Sequence, residues 1–379
     1  MKTFNMMVVL IAVFLFSAMR VEALWRTERI SANAGDSRSP AVALNGSNIY
    51  VVWFDDTTGN FEIYFKRSTD GGATWQSANR LTNNAADSEY PDIAVSGANI
   101  YVVWHDGDYE SRDIYFRKSA DSGVTWKASQ RLTNNAGMSW VPAIAVSGTN
   151  VVVAWSDGTP GNNEIYIKKS ADGGATWQAS KKITNNPGGS CYPDIAVSGA
   201  NVYVVWNDDT PGNGEIYLRK SVDGGAAWQN PKRLTNNAGA SANAAIAVSG
   251  DAVHVAWSDD TPGDYEIYYR KSVTAGNLWQ SAKRLTNTAG NSWNPAIAVE
   301  SENVCLAWHD EKPGNYEIFL KASADGGTTW GTAVRLTNDA GDSWETALAT
   351  NASTAYVAWA DSKPGNYDIF LRYGSPFSD

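Results

Sequence analysis

The residues most suited to chemistry in this chain are acidic, aromatic and arranged at regular intervals. Asp55, Asp106, Asp157, Asp208, Asp259, Asp310 and Asp361 each follow a tryptophan by two positions, and Glu62, Asp113, Glu164, Glu215, Glu266, Glu317 and Asp368 stand a short turn later. Such a ring of carboxylates would suit Ca²⁺, which takes several oxygen ligands. The same groups would otherwise cap the intervening turns or pair with a neighbouring Lys or Arg. His105, His254 and His309 fall in different stretches with no short ligand spacing, so no zinc site is expected, and no organic cofactor either.

Positioning these groups falls to a repeat. Ser170-Ala-Asp172-Gly-Gly-Ala-Thr176-Trp177 has near-copies beginning at Ser68, Ser119, Ser221, Ser272 and Ser323, all 51 residues apart. Read physically it is a turn: the carboxylates of Asp70, Asp121, Asp172, Asp223 and Asp325 cap backbone N–H groups, Gly supplies positive φ, and Trp anchors the turn in apolar packing. Between the turns lie short β-branched and aromatic runs, such as Pro91–Ser96, Asn99–Trp104 and Asp113–Lys118, with a fourth expected within 125–133. Four strands per unit and seven units, counted on Arg29, Arg80, Arg131, Lys182, Arg233, Arg284 and Arg335, predict an all-β seven-bladed β-propeller of antiparallel strands. The seventh unit lacks its fourth strand, and residues 24–31 carry that pattern at the other end, so the N-terminal strand should close the last blade.

Residues that break the repeat are the candidate ligand contacts. Of 17 Trp, seven end the second strand of a unit and seven hold the box position; Trp140, Trp293 and Trp344 remain. They share one slot, expected in the loop leading to the first strand, which reads Arg38, Glu89, Trp140, Cys191, Ala242, Trp293 and Trp344, with Tyr90 and Tyr192 one position along. Aromatic rings there would stack on sugar faces; alternatively they wedge the blades apart.

The Ser-x-Asp-x-Gly-x-Thr-Trp copies resemble the Asp-box, or BNR repeat, of the sialidase-like propellers, and cover almost the whole chain after residue 24. The resemblance implies that the boxes are structural and lie away from the ligand face. It also implies, for a hydrolase, three arginines clamping a substrate carboxylate, a Tyr–Glu nucleophile and an Asp acid/base. Ser37-Arg38-Ser39-Pro40 is similar to the family's Arg-Ile-Pro motif, which would make Arg38 a clamp residue and Asp55 or Asp56 the acid/base. Outside the recurring slots only Arg26, Arg38 and Arg112 remain after the leader, and Arg26 belongs to the closing strand, so the clamp is one arginine short.

Residues 1–23 join Lys2 to an apolar run ending near Val21-Glu22-Ala23, the pattern of a cleaved secretory signal, with residues 24–379 as one propeller domain. Export would leave a secreted or cell-surface protein with no membrane insertion. The formal net charge of −10 argues against a nucleic-acid partner. Cys191 and Cys305 sit on non-neighbouring repeats and are not expected to pair. The leading expectation is a monomeric, non-catalytic propeller binding a glycan or a cell-surface protein through Arg38, Glu89, Tyr90, Trp140, Tyr192, Trp293 and Trp344. The alternatives are an exo-sialidase or related glycosidase using Arg38, Asp55 and Arg112, and a bare protein-interaction scaffold.

Overall fold

The computed structural model describes residues 25–108, 111–159, 161–311 and 314–377; the expected signal segment lies outside them. The β-branched runs form strands, and the described residues contain no helix. Blade 1 shows the plan, with Ser37–Asn45 innermost, then Asn48–Asp55, Glu62–Ser68 and the two-residue outer strand Asn79–Arg80. Seven such four-stranded antiparallel sheets follow one another. The seventh takes Arg26–Arg29 as its outer strand, paired against Asp368–Gly374 from Arg26↔Tyr373 to Arg29↔Phe370. The N-terminal closure expected from sequence is thus present. The fourth strands are shorter than the 125–133 run suggested, because the box turn consumes that chain; in blade 2 only Gln130–Arg131 pairs.

Both faces of each blade are covered by its neighbours, so the second strands are apolar throughout rather than alternating. Val151, Val152, Val153, Ala154 and Trp155 are all buried. The core is seven inter-blade layers; in one of them Val152, Ile165 and Ile183 pack against Ile195, Val204 and Trp206 of the next blade. Each fully buried aliphatic or aromatic side chain contributes about 1.5–3 kcal/mol.

The boxes fold as capped turns. In blade 3 the Ser170 hydroxyl donates to Asp172 Oδ1 at 2.6 Å and accepts from Gly174 N at 2.8 Å, while Thr176 N and Oγ1 donate to Asp172 at 2.8 and 2.5 Å. Gly174 has φ of 82°, and a Cβ there would stand 2.4 Å from Phe116 of the preceding blade, so only glycine fits. The boxes meet the hairpins between first and second strands, as in Gly173 N to Thr149 O at 2.8 Å. On the opposite face, turns after the second strand meet the connections between blades, as in Asp36 N to Asp56 Oδ1 at 2.7 Å.

The recurring carboxylates serve the fold. Asp157 accepts from Ser139 Oγ, Trp155 Nε1, Asn135 Nδ2 and Thr159 N at 2.8–3.0 Å. The second ring is paired: Glu62, Glu215, Glu266 and Glu317 hold Arg80, Arg233, Arg284 and Arg335 at 2.6–2.7 Å, Glu164 holds Lys182 at 3.4 Å, and Asp113 and Asp368 bind Arg131 and Arg29. These contacts are the turn caps and ion pairs of the second sequence reading.

Candidate functional site

The site is built by a bulge repeated in every blade. The innermost strand slips register after its second residue, between Arg38 and Ala41 in blade 1 and equivalently in the other six. The residue at the slip has a left-handed backbone: Ser39, Tyr90, Val141, Tyr192, Asn243, Asn294 and Glu345 have φ of 46–55°. None is glycine, so each costs on the order of 1 kcal/mol or more. A contact from the preceding blade offsets this at several junctions. Val141 N donates to His105 Nδ1 at 3.3 Å, Tyr192 N to Ser156 Oγ at 3.0 Å, and Ser39 N to Glu345 Oε2 at 2.6 Å across the closing junction.

The bulge turns seven side chains toward the channel mouth, where they rim a basin of about 630 Å³. Tyr90, Tyr192, Trp293, Tyr316 and Trp344 supply aromatic surface, and Asn243, Asn294, Glu345 and His309 supply polar groups. Tyr90 and Tyr192 are 41% and 44% exposed, high for rings of this size. Trp293 stacks on Tyr265 at 3.7 Å between ring centres, and Trp344 lies 4.2 Å from Tyr316. Burial pushes His309 down to about 4, so the imidazole is neutral near pH 7, and its buried Nδ1 has no partner among the described residues. Burial raises the Glu345 carboxyl, against the Ser39 N–H and the nearby Arg38 charge.

The slot holding Trp140, Trp293 and Trp344 is therefore not in a connecting loop, as its sequence suggested; it is the second residue of the innermost strand. The strand begins at the buried Ser and runs through the bulge, which no residue type announces. Tyr90, Tyr192, Trp293 and Trp344 do meet at the basin. Trp140 instead presents its edge to Tyr192 at 5.1 Å. Glu89 binds Arg112 at 2.7 Å and His105 at 3.4 Å; burial opposes its charge, but these two partners hold the carboxyl below its ordinary value. Arg38 stacks 4.1 Å over Tyr367 and lies 3.6 Å from Asp36. The two singular arginines thus have separate partners on separate blades. Asp55 is fully buried and accepts from Ser37 Oγ, Asn33 Nδ2 and Thr57 N at 2.5–2.9 Å, the same lock as in other blades.

Sequence reasoning passed over Tyr265, Tyr316 and the role of His309. A signal existed: the position opening onto the third strand reads Phe61, Arg112, Asn163, Gly214, Tyr265, Tyr316 and Tyr367 around the ring, as variable as the tryptophan slot.

Residues 100–258 match the BNR repeat-like domain. A sialidase of Bacteroides fragilis is 22% identical over a match covering 82% of this chain and 58% of that protein, so the chain spans little more than half the length of this curated relative. Among solved structures, the Hadza microbial sialidase Hz136 superposes with a TM-score of 0.52 at 17% identity, covering 86% of this chain and 76% of that one. The polysaccharide lyase Uly1 superposes at 0.63 with 9% identity, covering 91% of both. The chain carries BNR repeats on a sialidase-like β-propeller fold.

Proposed function

We propose that this is an exported, non-catalytic propeller that binds carbohydrate in the basin at its channel mouth, as a monomer meeting free glycans or glycosylated cell-surface proteins. The observation that carries the reading is the convergence of Trp293, Trp344, Tyr316 and Tyr192 with Asn243 and Asn294 around one basin. Flat apolar rings next to neutral hydrogen-bonding groups match the two kinds of surface a pyranose offers. Similarity to a sialidase and to a polysaccharide lyase supports a sugar ligand. A glycan array followed by calorimetry on Trp293→Ala with Trp344→Ala tests it. Binding should fall at least tenfold in that variant; binding unchanged by it, or none on the array, would overturn the reading.

A catalytic reading has one foothold, since Glu345, with its carboxyl raised by burial, shares the basin with neutral His309. Turnover of a fluorogenic sialoside by the full chain, lost in Glu345→Gln, would replace the binding reading. Arg38 and Asp55 are poor carriers of it, one stacked on Tyr367 and the other sealed in its turn.

A further inference from the structure

The junctions between blades differ in one residue of the third strand. Arg117, Arg219, Arg270 and Arg372 each send a guanidinium across to a main-chain carbonyl of the preceding blade, Leu81, Ile183, Leu234 and Leu336 respectively. Arg117, Arg219 and Arg270 also hold a second carbonyl of their own blade at 2.6–2.7 Å, so the planar fork is engaged on both blades. Blades 3 and 6 carry Lys168 and Lys321 in this position. Each Nζ makes the cross-blade bond, to Leu132 O at 2.6 Å and Leu285 O at 2.7 Å, and no second one among the described residues.

A cleft opens at these two junctions, of about 520 Å³ beside Lys168 and about 290 Å³ beside Lys321. Nine of the ten lining positions are the same in the repeat, three blades apart; Arg131, held by Asp113, lines only the cleft beside Lys168. One wall is the half-buried ring of Tyr166 or Phe319, backed by Trp155 or Trp308 at 6.0 and 5.9 Å. Neither ammonium has a carboxylate partner among the described residues; Asp157 and Asp310, which line the same clefts, are hydrogen-bonded to Ser139 and Trp155 and to Ser292 and Trp308. Lys66, the third lysine of this slot, also crosses its junction, to Ile30 O at 2.7 Å, but it feels the charge of Glu28.

We propose that the junctions at Lys168 and Lys321 are two equivalent binding sites for an acidic sugar residue, its carboxylate on the ammonium and its ring against Tyr166 or Phe319. An unpaired cation with two unused donors beside an aromatic wall fits a uronate or a sialate, and a neutral sugar would leave the charge unmet. Two such sites on one rigid ring also provide for bivalent attachment to a repeating acidic glycan. They are distinct from the basin and do not depend on it.

Calorimetric titration of the full chain with 3′-sialyllactose, trigalacturonate and lactose separates the claims. One acidic probe should occupy two sites that lactose does not, and which probe binds distinguishes sialate from uronate. Lys168→Arg with Lys321→Arg keeps the charge and the cross-blade bond, as four blades already do, but fills the clefts. Lys168→Met with Lys321→Met keeps space and removes the charge. Both should weaken the two sites at least tenfold, whereas Trp293→Ala with Trp344→Ala should leave them intact and remove only basin binding. Two sites unchanged in the arginine variant, equal occupancy by lactose, or binding of neither acidic probe would overturn the proposal.

Discussion

Arg29 donates to the carboxylate of Asp368, and Ser31 Oγ reaches its other oxygen at 3.0 Å. The ion pair that six blades make within one continuous stretch is made here by residues 339 apart. Ile30, fully buried between them, packs into the layer shared with blade 1. Deleting residues 25–31 removes this pair, that burial and the outer strand together, an expected loss on the order of 4 kcal/mol. Thermal melting should shift down as a single transition. An unchanged melt would show that the ring is not held shut by this strand.

Asp55 offers a test of structural against catalytic duty. Replacing it by Ala leaves the Ser37 hydroxyl, the Asn33 amide and Thr57 N without an acceptor in a buried turn, which should cost about 2–4 kcal/mol. Asp56→Ala, which removes only the contact to Asp36 N in a more open turn, should cost about 1 kcal/mol. A stably folded Asp55→Ala that abolished a measured turnover would return Asp55 to the catalytic candidates.

The repeat made the architecture legible, since a 51-residue period with four β-rich runs leaves few alternatives to blades, and the orphan strand pattern around Arg29 pointed to closure. The site was legible by position and less so by geometry. Sorting singular from recurring residues found Trp293, Trp344, Tyr90 and Tyr192. It could not see that Val141, a β-branched residue that resists positive φ, marks a left-handed bulge, because tertiary contact from His105 enforces it. Nor does residue type separate Lys168 from Arg117 until the facing carbonyls are in place.

Blade 5 has a defective box, and repairing it tests the capping account. Thr274 stands where other boxes have Asp, accepting from Leu278 N at 2.8 Å and lying 3.3 Å from the Ser272 hydroxyl. Thr274→Asp should reproduce the blade 4 arrangement, in which Asp223 accepts from Ser221 Oγ at 2.7 Å and Ala227 N at 2.8 Å. The Ala227 N–H, and then the Ser221 hydroxyl, hold the Asp223 carboxyl below its ordinary value. A carboxylate depressed on folding stabilises above its unfolded value near 4, and that contribution is lost as pH falls through the folded value. Thr274→Asp should therefore raise Tm by a few degrees at pH 7, with the gain fading as pH falls below the ordinary carboxylate value near 4. A gain that persisted at pH 2 would mean that something other than the charged cap produced it.

The central channel predicts the opposite pH response. Asp92 and Asp194 line it, in the slot that is Ala in the other blades, and each accepts one N–H from its own blade and one from the next, at 2.8 Å. Burial first, then repulsion from Asp194, pushes Asp92 up to about 7; burial pushes Asp194 up to about 6. An acid raised on folding binds its proton more tightly in the folded state. Its stabilisation is full below the unfolded value near 4 and is lost as pH rises through about 6 to 7. At about 460 Å³ the channel is large enough to admit water, which would screen both groups. The slope should therefore lie well under the roughly 1.4 kcal/mol per pH unit of one full proton. Wild-type Tm should decline from pH 4.5 to 7.5, and Asp92→Ala with Asp194→Ala should flatten that decline while lowering Tm at pH 4.5, where the cross-blade hydrogen bonds are lost. Parallel curves for the two proteins would mean that both carboxyls are already ionised throughout this range and that the channel carries water freely to them.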